Sequence, residues 1–177
     1  VVTQDITVEL DENGEASITA VEIDAGSTDN TEVESLTLDV TTFDCSNVGV
    51  NTVTLTVTDV NDNESSETAT VTVEDNTVPT VQTQDITVEL DVNGEASITA
   101  DQIDNGSSDN CSIESFALDV TEFDCSNIGA NTVTLTFTDV NGNEFSDTAL
   151  ATAADNNDTP VVTQDITVEL DENGEAI

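Results

Sequence analysis

The chain has 177 residues, 39 of them Asp or Glu, and it contains no Lys, Arg or His, so its formal net charge is −39 at pH 7. Binding to nucleic acid or to an anionic membrane depends on Lys and Arg, and both kinds of partner are therefore excluded. No catalytic role is expected either, because a Ser or Cys nucleophile would lack its usual base and phosphate would lack a cationic clamp.

The order of the chain is dominated by an internal repeat with an offset of 80 positions. The segment TQDITVEL begins at positions 3, 83 and 163, and residues 161–176 duplicate residues 1–16. This recurrence predicts a window from a longer continuous array. The predicted units are a first repeat at 1–78, a second at 79–159 and the start of a truncated third at 160–177. We call the first two repeat 1 and repeat 2.

The first predicted element is a strand in which Ile6, Val8 and Leu10 share one face and polar residues the other. This period of two is typical of a half-buried strand. The following residues 11–14, DENG, have the composition of a tight hairpin turn. A return strand is predicted from Ala16 to Ala20.

The remaining elements of repeat 1 also read as strands. They cover residues 36–40 with Phe43, then NTVTLTVTDV with its apolar side chains inward, and finally ATVTV after an Asn-rich turn. About seven short strands in about 80 residues predict an immunoglobulin-like sandwich, and no helical periodicity is present. Short linkers containing Pro79 and Pro160 join the repeats. We therefore predict an all-β fold of tandem immunoglobulin-like β-sandwiches in an extended array.

The chain resembles the hyalin-repeat (HYR) modules of bacterial secreted and surface proteins. The residues that carry the resemblance are ITVEL and SITA, the DNC at 109–111, FDCSN, and NTVTLTFTDVNGN at 131–143. The resemblance covers essentially the whole chain. It implies immunoglobulin-like modules in long tandem arrays, with a broad association with adhesion and surface architecture.

The three cysteines are Cys45, Cys111 and Cys125. Tracing the strand directions places Cys111 and Cys125 at the same pole of repeat 2, which predicts a disulfide between them and an oxidising, extracellular compartment. The alternative is a pair of buried free thiols. Cys45 has no partner within its own repeat, and we expect it to be buried and unreactive.

Acidic and amide side chains are predicted to meet at one pole of each repeat. In repeat 2 this pole combines the preceding linker, the loop at 101–110 and the turn after residue 138. Calcium takes six to eight oxygen ligands from carboxylates, Asn side chains and carbonyls, which are the groups offered here. The candidate ligands are Asp24, Asp29, Asn30, Asp59, Asn61, Asp62, Asp75, Asn76, Asp104, Asp109, Asp139, Asn141 and Asp155.

A calcium-stiffened junction between repeats is the prediction that follows, with an affinity on the order of 10⁻⁴ to 10⁻³ M. The alternative is that Asp, Asn and Gly only form turns and keep the strand edges soluble.

Short motifs for glycosylation are also present. Asn-X-Ser/Thr sequons begin at Asn63, Asn105, Asn110 and Asn157, and Asp147-Thr148-Ala149 resembles an acceptor for bacterial O-glycosylation. The candidate acceptors retained are Asn63, Asn105, Thr148 and Asn157. The alternative is chance, because such motifs recur often in a chain rich in Thr and Asn.

Two functions are compatible with these patterns. The first is a structural repeat of a long extracellular fibre or surface filament, stiffened by calcium and glycosylated, that assembles as a continuous array or by self-association. The second is a spacer in a ligand-binding adhesin that recognises a carbohydrate or a surface. Purified repeats that form regular filaments favour the first, and monomeric rods that bind glycans favour the second.

Overall fold

The computed structural model describes residues 1–156, 168–169 and 172–173. The predicted third repeat therefore lies almost wholly outside the described residues. In repeat 1 the elements are β1 (Ile6–Glu9), β2 (Glu15–Ser17), α1 (Ala20–Ile23), β3 (Val33–Leu38), β4 (Thr42–Asp44), β5 (Gly49–Asp59) and β6 (Glu64–Glu74). In repeat 2 they are β7 (Ile86–Glu89), β8 (Glu95–Ser97), α2 (Ala100–Ile103), β9 (Ile113–Leu118), β10 (Glu122–Asp124), β11 (Gly129–Asp139) and β12 (Glu144–Ala154).

Each repeat contains a four-stranded sheet and a two-stranded sheet. In repeat 1 the larger sheet has the order β1-β6-β5-β3 and the smaller one pairs β2 with β4, and repeat 2 has the same order eighty residues later. In each repeat the first strand runs parallel to the last, β1 with β6 and β7 with β12, whereas the other pairs are antiparallel. This arrangement confirms the predicted all-β tandem sandwich. Within the described residues, no helix combines the length and the hydropathy that a membrane crossing requires.

The core lies between the two sheets of each repeat. The alternating face of β5 places Val53 and Leu55 at 0% exposure, and Val133 and Leu135 of β11 are equally buried. Burying such a side chain fully contributes about 1.5–3 kcal/mol. The predicted inward face of NTVTLT is confirmed. These buried side chains hold β5 and β11, the long strands that end at the acidic pole of each repeat.

The predicted hairpin between the first two strands is wrong. β1 pairs with β6 and β2 pairs with β4, so the turn at residues 11–14 crosses from one sheet to the other. Gly14 makes this crossing possible with a φ of +73°, a conformation that side chains disfavour. The turn chemistry was therefore predicted correctly, but the pairing was not, since local sequence does not specify a sheet.

The predicted return strand is also wrong beyond Ser17. The chain forms one helical turn, α1, because the backbone N–H and hydroxyl of Thr19 both donate to the Glu22 carboxylate, at 2.7 and 2.8 Å. This interaction closes the first turn of a helix. With α1 and α2 in place, the described part of each repeat contains six strands rather than about seven.

The turn after β10 makes stability depend on pH. The Ser126 hydroxyl and backbone N–H both donate to the Asp124 carboxylate and hold its pKa below the ordinary value of 3.8. Because the folded-state pKa is the lower one, this stabilisation is complete above the ordinary pKa and is lost as pH falls through the depressed value. We expect Asp124→Asn to flatten the decline in melting temperature between pH 5 and pH 2. Ser126→Ala should flatten it as well, and an unchanged slope in both variants would contradict the assignment.

Candidate metal centre at the repeat junction

The two repeats are joined by a disulfide between Cys45 and Cys111, whose Cα atoms are 5.5 Å apart. This corrects the predicted Cys111–Cys125 bond. Cys111 precedes β9 at the pole that contacts repeat 1, whereas Cys125 follows β10 beside the turn at Gly94 and is an exposed free thiol. Cys45 has no partner within its own repeat, as expected, but it is half-buried rather than buried and is bonded to a cysteine of the next repeat.

Other contacts at the junction are close. The side-chain amide of Asn110 donates to the carbonyl oxygen of Asp11 at 3.1 Å and to Asp75 Oδ1 at 3.2 Å. A Cβ at Gly14 would lie 2.6 Å from Cys45 Sγ and 2.8 Å from the carbonyl oxygen of Asn110. Only glycine therefore fits between the two repeats at this position.

Three carboxylates converge at this junction from separate segments of the chain. Asp75 comes from the linker, Asp109 from the loop before β9 and Asp139 from the end of β11, and one oxygen of each lies within 4.8 Å of the others. Asp75 is 6% exposed and Asp139 is 0% exposed, while Asp109 is half-buried. The structure thus brings together residues from all three predicted segments.

Backbone hydrogen bonds orient each of these carboxylates. Asp139 Oδ1 accepts the N–H groups of Asn141 and Asn143, both at 2.8 Å. Asp109 Oδ2 accepts the N–H of Cys111 at 2.9 Å, and Asp75 Oδ1 accepts the N–H of Thr77 at 3.2 Å. These bonds engage one oxygen of each carboxylate. At Asp139 the second oxygen, Oδ2, also accepts a hydrogen bond from the side-chain amide of Asn143 at 2.8 Å.

Several buried oxygens at the junction lack a hydrogen-bond partner among the described residues. They are Asp75 Oδ2, Asp109 Oδ1 and Asn110 Oδ1. Two unit charges within 4.8 Å of each other repel by at least about 3.5 kcal/mol at an effective dielectric constant of about 20, and the chain has no Lys, Arg or His to compensate. A hard divalent cation would coordinate the oxygens that lack a partner and would neutralise the repulsion between the carboxylates. The donor set therefore fits calcium.

The remaining predicted ligands occupy other positions. Asp24 and Asp104 accept the N–H of Ser27 and Ser107 in the loops that follow α1 and α2. Asn76 donates its amide to the carboxylates of Glu9 and Glu74. Asn141 follows Asp139 in the same turn, and its buried Nδ2 has no hydrogen-bond partner in the part of the chain that the structure describes. Asp29, Asn30, Asp59, Asn61 and Asp62 belong to the equivalent pole of repeat 1, and Asp155 is exposed at the end of β12.

The candidate glycan acceptors divide by exposure. Asn63, Asn105 and Thr148 are exposed, although the Asn63 amide donates to Asp59 at 2.9 Å. Asn157 lies outside the described residues. The amide of Asn110 is engaged at the junction, so its sequon has a structural explanation.

Sequence reasoning missed two residues of the junction as candidate site residues, Cys45 and Asn110. Cys45 lies 66 residues before Cys111. This spacing indicates a disulfide only if it is already known that adjacent repeats are in contact. For Asn110 the signal was its place directly after Asp109, where one backbone segment supplies both groups.

Comparisons with known proteins give fold neighbours only. No family model matches the chain, and no curated protein is similar to it in sequence. Extracellular cadherin domains 1–4 of protocadherin gamma B7 are similar over 88% of this chain and 51% of that one, with 11% identity and a TM-score of 0.36. Human mucin-like protocadherin EC1-2 is similar over 85% and 95%, with 14% identity and a TM-score of 0.37.

An endo-fucoidan hydrolase of glycoside hydrolase family 107 is similar over 68% of this chain and 28% of its own, with a TM-score of 0.30. The chain spans 51%, 31% and 48% of the first three solved structures that it resembles. Scores at this level carry no argument about activity. The β-sandwich is established by the strand order of the chain itself.

Proposed function

We propose that this chain is a structural segment of an extracellular fibre or surface filament, built from tandem β-sandwich repeats whose junctions are stiffened by calcium. The observation that carries the proposal is the junction, where Cys45 is bonded to Cys111 and three carboxylates converge. A disulfide of this kind persists in oxidising, extracellular compartments. We propose no catalytic role.

Calcium would be held by Asp75, Asp109 and Asp139, with Asn110 as a further oxygen donor. These residues come from the linker and from two loops at one pole of repeat 2, so a bound cation would fix the linker against repeat 2. Asn110 also donates to Asp11 of repeat 1, and the same cation would therefore order the contact between the repeats. This would convert a flexible string of modules into a rod.

Removing calcium is expected to lower both the melting temperature and the length of the chain in solution. With an affinity of about 10⁻⁴ to 10⁻³ M, 10 mM calcium would stabilise the folded chain by about 1.4–2.7 kcal/mol. At about 2–4 °C per kcal/mol this is a shift of roughly 3–10 °C. Calorimetry and small-angle X-ray scattering in calcium, in magnesium and in EDTA at equal ionic strength measure both quantities. Equal values in all three would show that only charge screening operates.

Electron microscopy of the same samples tests the fibre. Regular filaments that depend on calcium support the proposal, whereas monomeric rods that bind glycans would favour the adhesin spacer. Asn63, Asn105 and Thr148 are proposed as glycan acceptors on the filament surface, since their side chains are exposed.

A further inference from the structure

The disulfide and the carboxylate cluster share one short segment of chain, residues 109–111. Asp109 contributes a carboxylate to the cluster, and Cys111 carries the sulfur atom that is bonded to Cys45 of repeat 1. The backbone N–H of Cys111 donates to Asp109 Oδ2 at 2.9 Å, and the other oxygen, Oδ1, is buried without a hydrogen-bond partner in the described part of the chain. The disulfide therefore helps to fix the position of a candidate calcium ligand.

Asn110 lies between the two groups and contacts both of them. Its carbonyl oxygen is 3.7 Å from Cys45 Sγ, and its side-chain amide donates to Asp75 Oδ1 at 3.2 Å. Its side-chain oxygen is buried and accepts no hydrogen bond from any described residue. A change at the sulfur atoms can therefore reach the carboxylates through two consecutive residues.

The burial of Asp75 indicates that the cluster holds a ligand. This side chain is 6% exposed, and its Oδ2 has no hydrogen-bond partner within the residues that the structure describes. A buried carboxylate oxygen without a partner is unfavourable unless a cation compensates its charge. The position of Asn110, which donates to the other oxygen of Asp75, thus affects a group that already requires a cation.

We propose that the Cys45–Cys111 disulfide regulates the calcium site, so that the oxidised chain binds calcium more tightly than the reduced chain. The inference rests on the proposed function and adds a dependence on redox state. Reduction breaks the Sγ–Sγ bond and adds two electrons and two protons to give two thiols. A dithiol such as dithiothreitol supplies them and is oxidised to its cyclic disulfide. The segment 109–111 then loses its covalent attachment to repeat 1, and calcium binding has to bear the cost of ordering it.

Calcium protects the disulfide in return. The oxidised and reduced chains, each with and without calcium, form a closed thermodynamic cycle, so the coupling is equal in both directions. If reduction weakens calcium binding by a given factor, saturating calcium makes the disulfide harder to reduce by the same factor. We expect a factor of about five to ten, which corresponds to a shift in reduction potential of roughly 20–30 mV.

The redox equilibrium of the disulfide tests this coupling. The variant Cys125→Ala removes the free thiol, and it is equilibrated with mixtures of reduced and oxidised dithiothreitol in calcium, in magnesium or in EDTA at equal ionic strength. Thiols are then trapped with iodoacetamide and counted by mass spectrometry. A disulfide that is about fivefold or more harder to reduce in calcium than in EDTA supports the proposal. Equal reduction in calcium and in EDTA overturns it.

Two matched variants show whether the segment 109–111 carries the coupling. Asp109→Asn should abolish the effect of calcium on the disulfide, because it removes the carboxylate that the segment contributes. Asp29 has the equivalent position in repeat 1, where it accepts the N–H of Thr31, and it does not belong to the cluster. Asp29→Asn should therefore leave the effect unchanged, and an equal effect of calcium in both variants overturns the proposal.

Calorimetric titration with calcium separates this proposal from the proposed function. It compares oxidised Cys125→Ala with the same chain carrying Cys45→Ala and Cys111→Thr, the residue that repeat 1 has at Thr31. Weaker binding to the second chain supports the proposal. Equal binding to both overturns the redox regulation but leaves the calcium site, whereas no binding to the oxidised chain overturns the site itself.

Circular dichroism of the reduced chain completes the test. We expect its β-sheet spectrum to be retained, because each repeat has a core of its own. A reduced chain that loses this spectrum overturns the proposal, since calcium binding would then depend on folding as a whole and not on the segment 109–111.

Discussion

Replacing Cys45 with Ala and Cys111 with Thr is expected to lower the free energy of unfolding by about 2–4 kcal/mol. The bond closes a loop between residues separated by 66 positions, and loops of that size restrict the unfolded chain strongly. Thr is tolerated at the second position because repeat 1 carries Thr31 there. Calorimetry should show a fall in melting temperature of roughly 5–15 °C.

The matched control is Cys125→Ala, which changes the equivalent cysteine in repeat 2 without breaking a bond. It should melt within about 2 °C of the original chain, as is usual for exposed positions. The variant without the junction disulfide should also bind calcium less tightly, since Asp109 and Asn110 directly precede Cys111. Equal melting of all three proteins would mean that the disulfide does not clamp the repeats.

The second large effect concerns Asp139→Asn, whose influence on stability is expected to have opposite signs with and without calcium. In calcium, Asp139→Asn removes one carboxylate from the cluster and should weaken binding by about tenfold or more, which is about 1.4 kcal/mol of binding free energy. In EDTA the same substitution removes one of three repelling charges and should raise the melting temperature. Isothermal titration calorimetry and thermal unfolding measure the two effects.

The control for this prediction is Asp59→Asn. Asp59 accepts the same three bonds in its turn, from the N–H groups of Asn61 and Asn63 and from the Asn63 amide, but it does not belong to the junction cluster. Subtracting the change in melting temperature of Asp59→Asn from that of Asp139→Asn removes the part that comes from disturbing the turn. A difference between the two variants that does not depend on calcium would contradict a cation at the junction.

Much of the fold was predictable because the apolar pattern is regular. The alternation through Val53 and Leu55 identified the inward face of β5 before any coordinates. The sheet partner of β1 was not predictable, since a period of two specifies a face and not a neighbour. The helix α1 could have been predicted from the capping pattern Thr19-X-X-Glu22, although the β-branched residues around it also fit a strand.

For the candidate site, local chemistry was informative and long-range pairing was not. The segments that contain Asp75, Asp109 and Asp139 were expected to meet because turns at one pole of a sandwich lie together, and the structure brings them together. Most of the other candidate ligands bind groups in their own turns, which is the ordinary role of Asp and Asn in loops. The disulfide was assigned to the wrong pair because strand tracing placed Cys111 and Cys125 at the same pole of repeat 2, whereas Cys111 lies at the junction with repeat 1 and Cys125 lies beside Gly94.

The bond between Cys45 and Cys111 also determines how tension would pass along the chain. A force applied at the two ends would cross from repeat 1 to repeat 2 through the sulfur atoms and would bypass the backbone between them. A separation of 66 residues corresponds to roughly 220 Å of fully extended chain. That length is shielded from the pulling force while the bond is intact and becomes available only when the bond is reduced and the strands unfold, so oxidation limits how far the chain can stretch under load.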